Sequence, residues 1–132
     1  MSHKTSAIVI TCIDFRFQEY IDKWLDERFK SPKQFDRVAL AGAIFDLYTI
    51  LKQVEISNRL HEIKTVILMN HEDCGAYGQA GTYAKHTDDL LNAKSVIDKL
   101  YPHLNVEPVY MHMDGTVEKI SAQADNNTPA AI

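Results

Sequence analysis

Ala7-Ile8-Val9-Ile10-Thr11-Cys12-Ile13-Asp14-Phe15-Arg16 begins with five residues of which four are β-branched, and polar and reactive side chains follow only at its end. An unbroken run of this kind, with no alternating polar face, is how a strand covered on both sides of a parallel sheet reads. Two later runs, Arg37-Val38-Ala39-Leu40 and Thr65-Val66-Ile67-Leu68-Met69, have the same character. Between them the apolar spacing turns helical. Tyr20, Ile21, Trp24, Leu25 and Phe29 predict one helix, and Leu47, Ile50, Leu51, Val54 and Leu60 a second. A third is predicted from about Thr87 to Leu100, where Leu90, Leu91, Val96, Ile97 and Leu100 are apolar and Pro102 lies just beyond. A fourth strand is predicted over Val106 to Met113, and Asp114-Gly115 turns the chain into a short edge strand, Thr116 to Ile120.

Strands alternating with helices predict an α/β fold, a mostly parallel sheet of four to five strands with helices on both faces. The simplest order is 2-1-3-4, with the fifth strand at the edge. Residues 1–120 are expected to form a single domain, and 121–132 a tail that is loose or rests on a neighbour. A chain of 132 residues with 45% apolar content can bury one core. Its net charge of −4 is spread along the sequence without a basic block, which argues against a nucleic-acid partner. Met1 to Ser6 are polar, and the apolar run Ala7 to Ile10 is too short for a signal-peptide core or a membrane span. A cytoplasmic location is therefore expected, with no membrane partner. In a reducing compartment two cysteines point to metal binding or catalysis before a structural disulfide.

Parallel sheets bind ligands at the carboxyl ends of the strands that flank the reversal of winding, here strands 1 and 3. Strand 1 ends in Cys12, and strand 3 in Asn70-His71-Glu72-Asp73-Cys74-Gly75. Cys12, His71 and Cys74 make a set of two thiolates and one imidazole that zinc favours, leaving a fourth position for water or a carboxylate. The H-x-x-C spacing lets His71 and Cys74 reach one ion from a single turn, and Gly75 is expected to let the backbone bend away. Taken singly, each has an ordinary alternative: a buried cysteine is a small hydrophobe, and a strand-end histidine is a hydrogen-bonded residue. Their convergence favours the metal.

Asp14 and Arg16 leave strand 1 beside Cys12. They are either a surface ion pair of little energetic weight or a pair in which Arg16 orients Asp14 toward a metal-bound water or toward the metal itself. Glu72 and Asp73 read as solvated or helix-terminal acids. Gly75, Gly78 and Gly81 have the spacing of a phosphate loop, but no Lys-Ser or Lys-Thr follows. His61, His86, His103 and His112 lack partners at ligand spacing and read as surface or core residues, with His112 able to face the site from strand 4. Trp24 reads as core.

Cys12-Ile13-Asp14-Phe15-Arg16 and His71-Glu72-Asp73-Cys74-Gly75 resemble the C-x-D-x-R and H-x-x-C-G motifs of the β-class carbonic anhydrases, and the likeness spans roughly Ile8 to Met113. The resemblance implies zinc held by Cys12, His71 and Cys74, an orienting dyad of Asp14 and Arg16, and attack of a zinc-bound hydroxide on carbon dioxide to give bicarbonate. It also implies a homodimer or higher homo-oligomer. Two departures stand out. Where the family's second strand ends in Arg-Asn-Ala-Gly, this chain has Ala39-Leu40-Ala41-Gly42. The family's N-terminal arm, which embraces a second protomer, is expected to be missing, since few residues precede strand 1. Carbon dioxide hydration thus stands beside three alternatives: hydrolysis of carbonyl sulfide or carbon disulfide, a catalytically silent zinc module, and thiol redox chemistry.

Overall fold

The computed structural model describes residues 3–122. In chain order the elements are β1 (Ala7–Thr11), α1 (Gln18–Arg28), β2 (Phe35–Ala39), α2 (Leu47–His61), β3 (Thr65–His71), α3 (Tyr83–Leu100), β4 (Asn105–Met111) and β5 (Val117–Lys119). They form one five-stranded sheet of order β2-β1-β3-β4-β5, parallel except for β5. This is the expected α/β architecture and strand order.

All five residues of β1 are buried, because side chains on both of its faces meet a helical layer. Ile8 and Ile10 of β1, with Val66 and Leu68 of β3, pack against Ile50 and Val54 of α2 and Leu90 and Ile97 of α3. The alternate residues Val9, Ile67, Met69, Val109 and Met111 point the other way, onto Phe17, Ile21 and Leu25. The period of two along each strand therefore divides the core into two layers.

Local chemistry sets the helix ends. Asp46 caps α2 by accepting from the Thr49 amide at 3.2 Å and hydroxyl at 2.7 Å, and Glu62 closes it in a left-handed conformation with φ 50°. Thr82 caps α3, accepting from the Lys85 amide at 3.1 Å, so this helix starts at Tyr83 and not near Thr87. The polar stretch Lys85-His86-Thr87 has no apolar period, and the cap is what places its first turn. Likewise β2 starts at Phe35, because Asp36 is satisfied within the fold by Ser57 Oγ and His61 Nδ1, each at 2.7 Å. Three residues of the expected helix faces are not core: Tyr20 is 42% exposed, Leu60 53% and Leu100 56%. Trp24 packs at the edge of the α1 layer, partly buried. The expected tail falls almost wholly on residues 123–132, outside the described residues.

One topological detail prepares the site. β1 pairs with β3 only as far as Ile10 with Leu68, whereas β3 runs on beside β4 to His71 with Met111. The two strands part where winding reverses, and the chain beyond β1 and the end of β3 face each other across the gap.

Candidate metal centre

Cys12 follows the last residue of β1, His71 is the last residue of β3, and Cys74 lies in the turn after it. All three are buried, with relative exposures of 6%, 3% and 5%. Their donor atoms lie within 4.8 Å of one another, close enough for one metal ion. The structure thus brings together the three residues that the strand ends predicted.

The turn between His71 and Cys74 bends at Asp73, which has φ 58°, and not at Gly75, whose φ is not positive and whose side-chain position is open. The expectation for Gly75 is corrected on this point: Asp tolerates the left-handed region better than most residues, so the turn needs no glycine. A glycine that the fold does require near the cluster is Gly42, after β2. It has φ +79°, and a Cβ there would sit 2.8 Å from Phe45 Cβ and 3.0 Å from Ala76 Cβ. Its bare amide donates to Cys12 Sγ at 3.3 Å.

The protonation pattern suits a cation. His71 Nδ1 donates to the Glu72 carbonyl at 2.7 Å, which places the proton on Nδ1 and leaves Nε2 as a lone-pair donor. That Nε2 is buried and has no hydrogen-bond partner among the described residues. An imidazole whose far nitrogen is tied to a backbone carbonyl is the usual arrangement of a metal-ligating histidine. Burial pushes the Cys12 thiol up, but the neighbouring His71 imidazole and the Gly42 and Asp14 amides outweigh it and bring it to about 7. Burial and the neighbouring Cys12 push the Cys74 thiol up. His71 is raised: burial opposes its charge, but Cys12 and the Glu72 carbonyl prevail. The three donor atoms lie around one common point, and the donor set fits a borderline-soft metal such as zinc.

Asp14 and Arg16 adjoin this cluster. Arg16 donates from Nη2 to Asp14 Oδ2 at 2.7 Å, from Nε to both carboxylate oxygens, and from its backbone amide to Oδ1 at 2.9 Å. Those bonds hold the Asp14 carboxyl at about 2 despite its partial burial. Asp14 Oδ2 is 3.8 Å from His71 Nε2, beyond a hydrogen bond. Arg16 also reaches Asp73, at Oδ2 (3.0 Å) and the carbonyl oxygen (2.9 Å), and so ties the loop after β1 to the turn after β3. Asp73 is therefore a partner of Arg16 and not simply a solvated acid. Above the cluster lies a shallow dish of about 400 Å³, walled mainly by Ile13, Phe15, Ala41 and Ala76. His112 turns away, toward Glu118 at 2.9 Å, and Glu72 accepts from the Met113 amide.

Some of the local machinery carried no motif. Asn70, Tyr77, His86 and Asp89 form a polar chain behind the cluster, in which Asn70, Tyr77 and His86 are buried. Its one trace in the sequence is that His86 and Asp89, three apart, share a face of α3.

Comparison with known proteins agrees with this architecture. A family model described as "Putative carbonic anhydrase" matches residues 2–121. An uncharacterized protein of Rickettsia bellii (strain RML369-C) is 33% identical, the match covering 89% of this chain and 83% of that one. One of Rickettsia conorii (strain ATCC VR-613 / Malish 7) is 34% identical, covering 89% and 73%. Among solved structures, carbonic anhydrase from Glaciozyma antarctica superposes with a TM-score of 0.69 at 14% identity, over 92% of this chain and 85% of that one. Carbonic anhydrase from Streptococcus mutans gives 0.66 at 15% identity, over 91% and 84%. At such identities the superpositions speak to the fold, and the family match, covering all but the last of the described residues, carries the assignment. This chain belongs to the family described as "Putative carbonic anhydrase".

Proposed function

We propose that the protein is a zinc enzyme that hydrates carbon dioxide to bicarbonate and a proton, with Cys12, His71 and Cys74 as its metal ligands. The observation that carries this is the buried His71 Nε2, without a hydrogen-bond partner among the described residues, beside two thiols, with the three donor atoms within 4.8 Å of one another. When bound, zinc would supply a Lewis acid that lowers the pKa of a water in its open position to about 7. The chain's own residues do the rest. Arg16 keeps Asp14 ionised and fixed, and an ionised carboxylate only accepts hydrogen bonds. Asp14 thus takes the proton side of a water at the cluster and leaves that water's lone pair free to attack. Ile13, Phe15, Ala41 and Ala76 offer an apolar wall suited to an uncharged, linear substrate. Product bicarbonate is charged and gains little from that wall, which favours its release.

The mouth of the site also bears Ile13 (56% exposed) and Phe15 (85%), with Phe45 (53%) against Tyr77 nearby. A second copy of the chain covering these side chains would remove them from water and close the dish, in keeping with a homodimer.

Purification from zinc-supplemented culture should yield about one zinc per chain, and stopped-flow assay should show carbon dioxide hydration faster than free zinc supports. In Asp14→Ala and Arg16→Ala the rate should fall by roughly 10-fold or more with zinc retained. A chain that binds no zinc would overturn the ligand assignment. A zinc-loaded chain no faster than free zinc would instead be the silent module.

A further inference from the structure

Asn70 immediately precedes His71 on β3, is 1% exposed, and uses its whole carboxamide. Oδ1 accepts from the Ile44 amide at 3.4 Å. Nδ2 has two hydrogens and two partners, the Tyr77 hydroxyl at 3.0 Å and His86 Nδ1 at 2.9 Å. Since Nδ2 can only donate, His86 Nδ1 accepts, and His86 carries its proton on Nε2. The Tyr77 hydroxyl, having accepted from Asn70, donates to Asp89 Oδ2 at 2.9 Å. Lys85 neutralises the far oxygen of Asp89 at 3.2 Å. Every donor in this chain has an acceptor except His86 Nε2, which is buried and has no partner among the described residues. A chain satisfied in one direction only, with the His86 ring packed between those of Tyr77 and Tyr110, has a single arrangement.

Its endpoints matter more than its members. Ile44 follows Gly42, the residue whose amide caps the sulfur of Cys12. Tyr77 donates its own amide to the carbonyl of Cys74 at 3.2 Å. Asn70 itself is bonded covalently to His71. One side chain therefore touches each of the three segments that bear or cap a candidate ligand, although none of its polar atoms contacts a ligand side chain.

We propose that Asn70 is a positioning residue: with Tyr77 and His86 it locks together the segments that bear His71 and Cys74 and the Gly42 segment that caps Cys12, and so holds the donors of Cys12, His71 and Cys74 within reach of one ion before any metal arrives. The role rests on the assignment of those three residues as metal ligands, and it is a property of the metal-free chain as well. Asn70→Leu keeps the shape and removes every polar contact. Tyr77→Phe is the milder variant, since the ring stays on His86 and only the hydroxyl goes. Ser57→Ala is the control, because the Ser57 to Asp36 bond lies at the opposite end of the sheet.

Two measurements decide. In the metal-free protein, alkylation of Cys74 by iodoacetamide should be several-fold faster in Asn70→Leu and Tyr77→Phe than in the parent, while Ser57→Ala stays at the parent rate. In titrations with cobalt(II), both variants should bind roughly 10- to 100-fold more weakly. Their thiolate-to-cobalt absorption should also shift, and a general loss of stability would not move that band. Parent-like alkylation and parent-like cobalt spectra in folded Asn70→Leu and Tyr77→Phe would overturn the proposal. So would equal effects in Ser57→Ala. A parent that takes up neither cobalt nor zinc, yet shows the alkylation difference, would remove the metal assignment and leave the positioning role standing.

Discussion

Gly42 shows how one residue couples backbone geometry to the chemistry of the site. Its φ of +79° lies where a side chain is strained, and a methyl there would press on Phe45 and Ala76. Neither contact can relax cheaply, because the opposing atoms are Cβ carbons fixed to backbone. Gly42→Ala should therefore lose about 1–3 kcal/mol, read as a lower urea midpoint in the metal-free protein. A midpoint equal to the parent's would show that the turn adapts. Cys12 and His71 were legible because their positions follow strand ends that converge, with Cys74, on one edge of the sheet. Asp73 was not, since its left-handed backbone and its bond to Arg16 arise only once the two loops meet. Asn70 was less legible still, being a polar residue in a strand whose three partners come from three different segments.

At the scale of elements, α1 is fastened to the sheet by more than its apolar face. Arg28, in its last turn, forms a two-pronged pair with Glu107 of β4, at 2.8 and 2.7 Å. Arg28 holds the Glu107 carboxyl below its ordinary value, with partial burial opposing. A carboxylate depressed on folding stabilises the native state above its unfolded pKa, and that contribution is lost as pH falls through the folded value. Unfolding free energy should accordingly decline below about pH 4.5, and Glu107→Gln should flatten part of that decline when urea curves are compared between about pH 6 and about pH 3. An identical pH dependence in parent and variant would remove the pair from the acid response. Element boundaries divided along the same line between local and tertiary causes. Ala7–Thr11 needed only its own residues to be recognised, whereas Phe35 and Asp36 joined β2 because Ser57 and His61 satisfy a carboxylate there. The start of α3 at Tyr83 depended on the Thr82 cap, and Leu60 and Leu100 kept their helical phase yet stay more than half exposed, whereas Tyr20 lays its ring against Gly115.

For the whole molecule, the apolar mouth around Ile13 and Phe15 bears on assembly. A stable interface of ordinary size removes about 800 Å² per partner, and large aromatic side chains supply most of its energy. Sedimentation equilibrium should find a dimer, and Phe15→Glu should shift it toward monomer while leaving the far-ultraviolet dichroism unchanged. A monomeric parent would leave the mouth without the proposed cover. No helix among the described residues is long and apolar enough to cross a membrane. The order of strands followed from sequence alone, because β-branched runs alternating with helices, joined by right-handed crossovers, admit few arrangements. The same logic put Cys12, His71 and Cys74 at one sheet edge, since the ends of β1 and β3 flank the reversal of winding. What only the tertiary structure decided was the wiring around them: the orphaned Nε2 of His71, the Gly42 amide on Cys12, the double grip of Arg16, and the carboxamide of Asn70. Strand and helix periods are carried by near neighbours in the chain, whereas a hydrogen bond between residues far apart in sequence leaves no period to read.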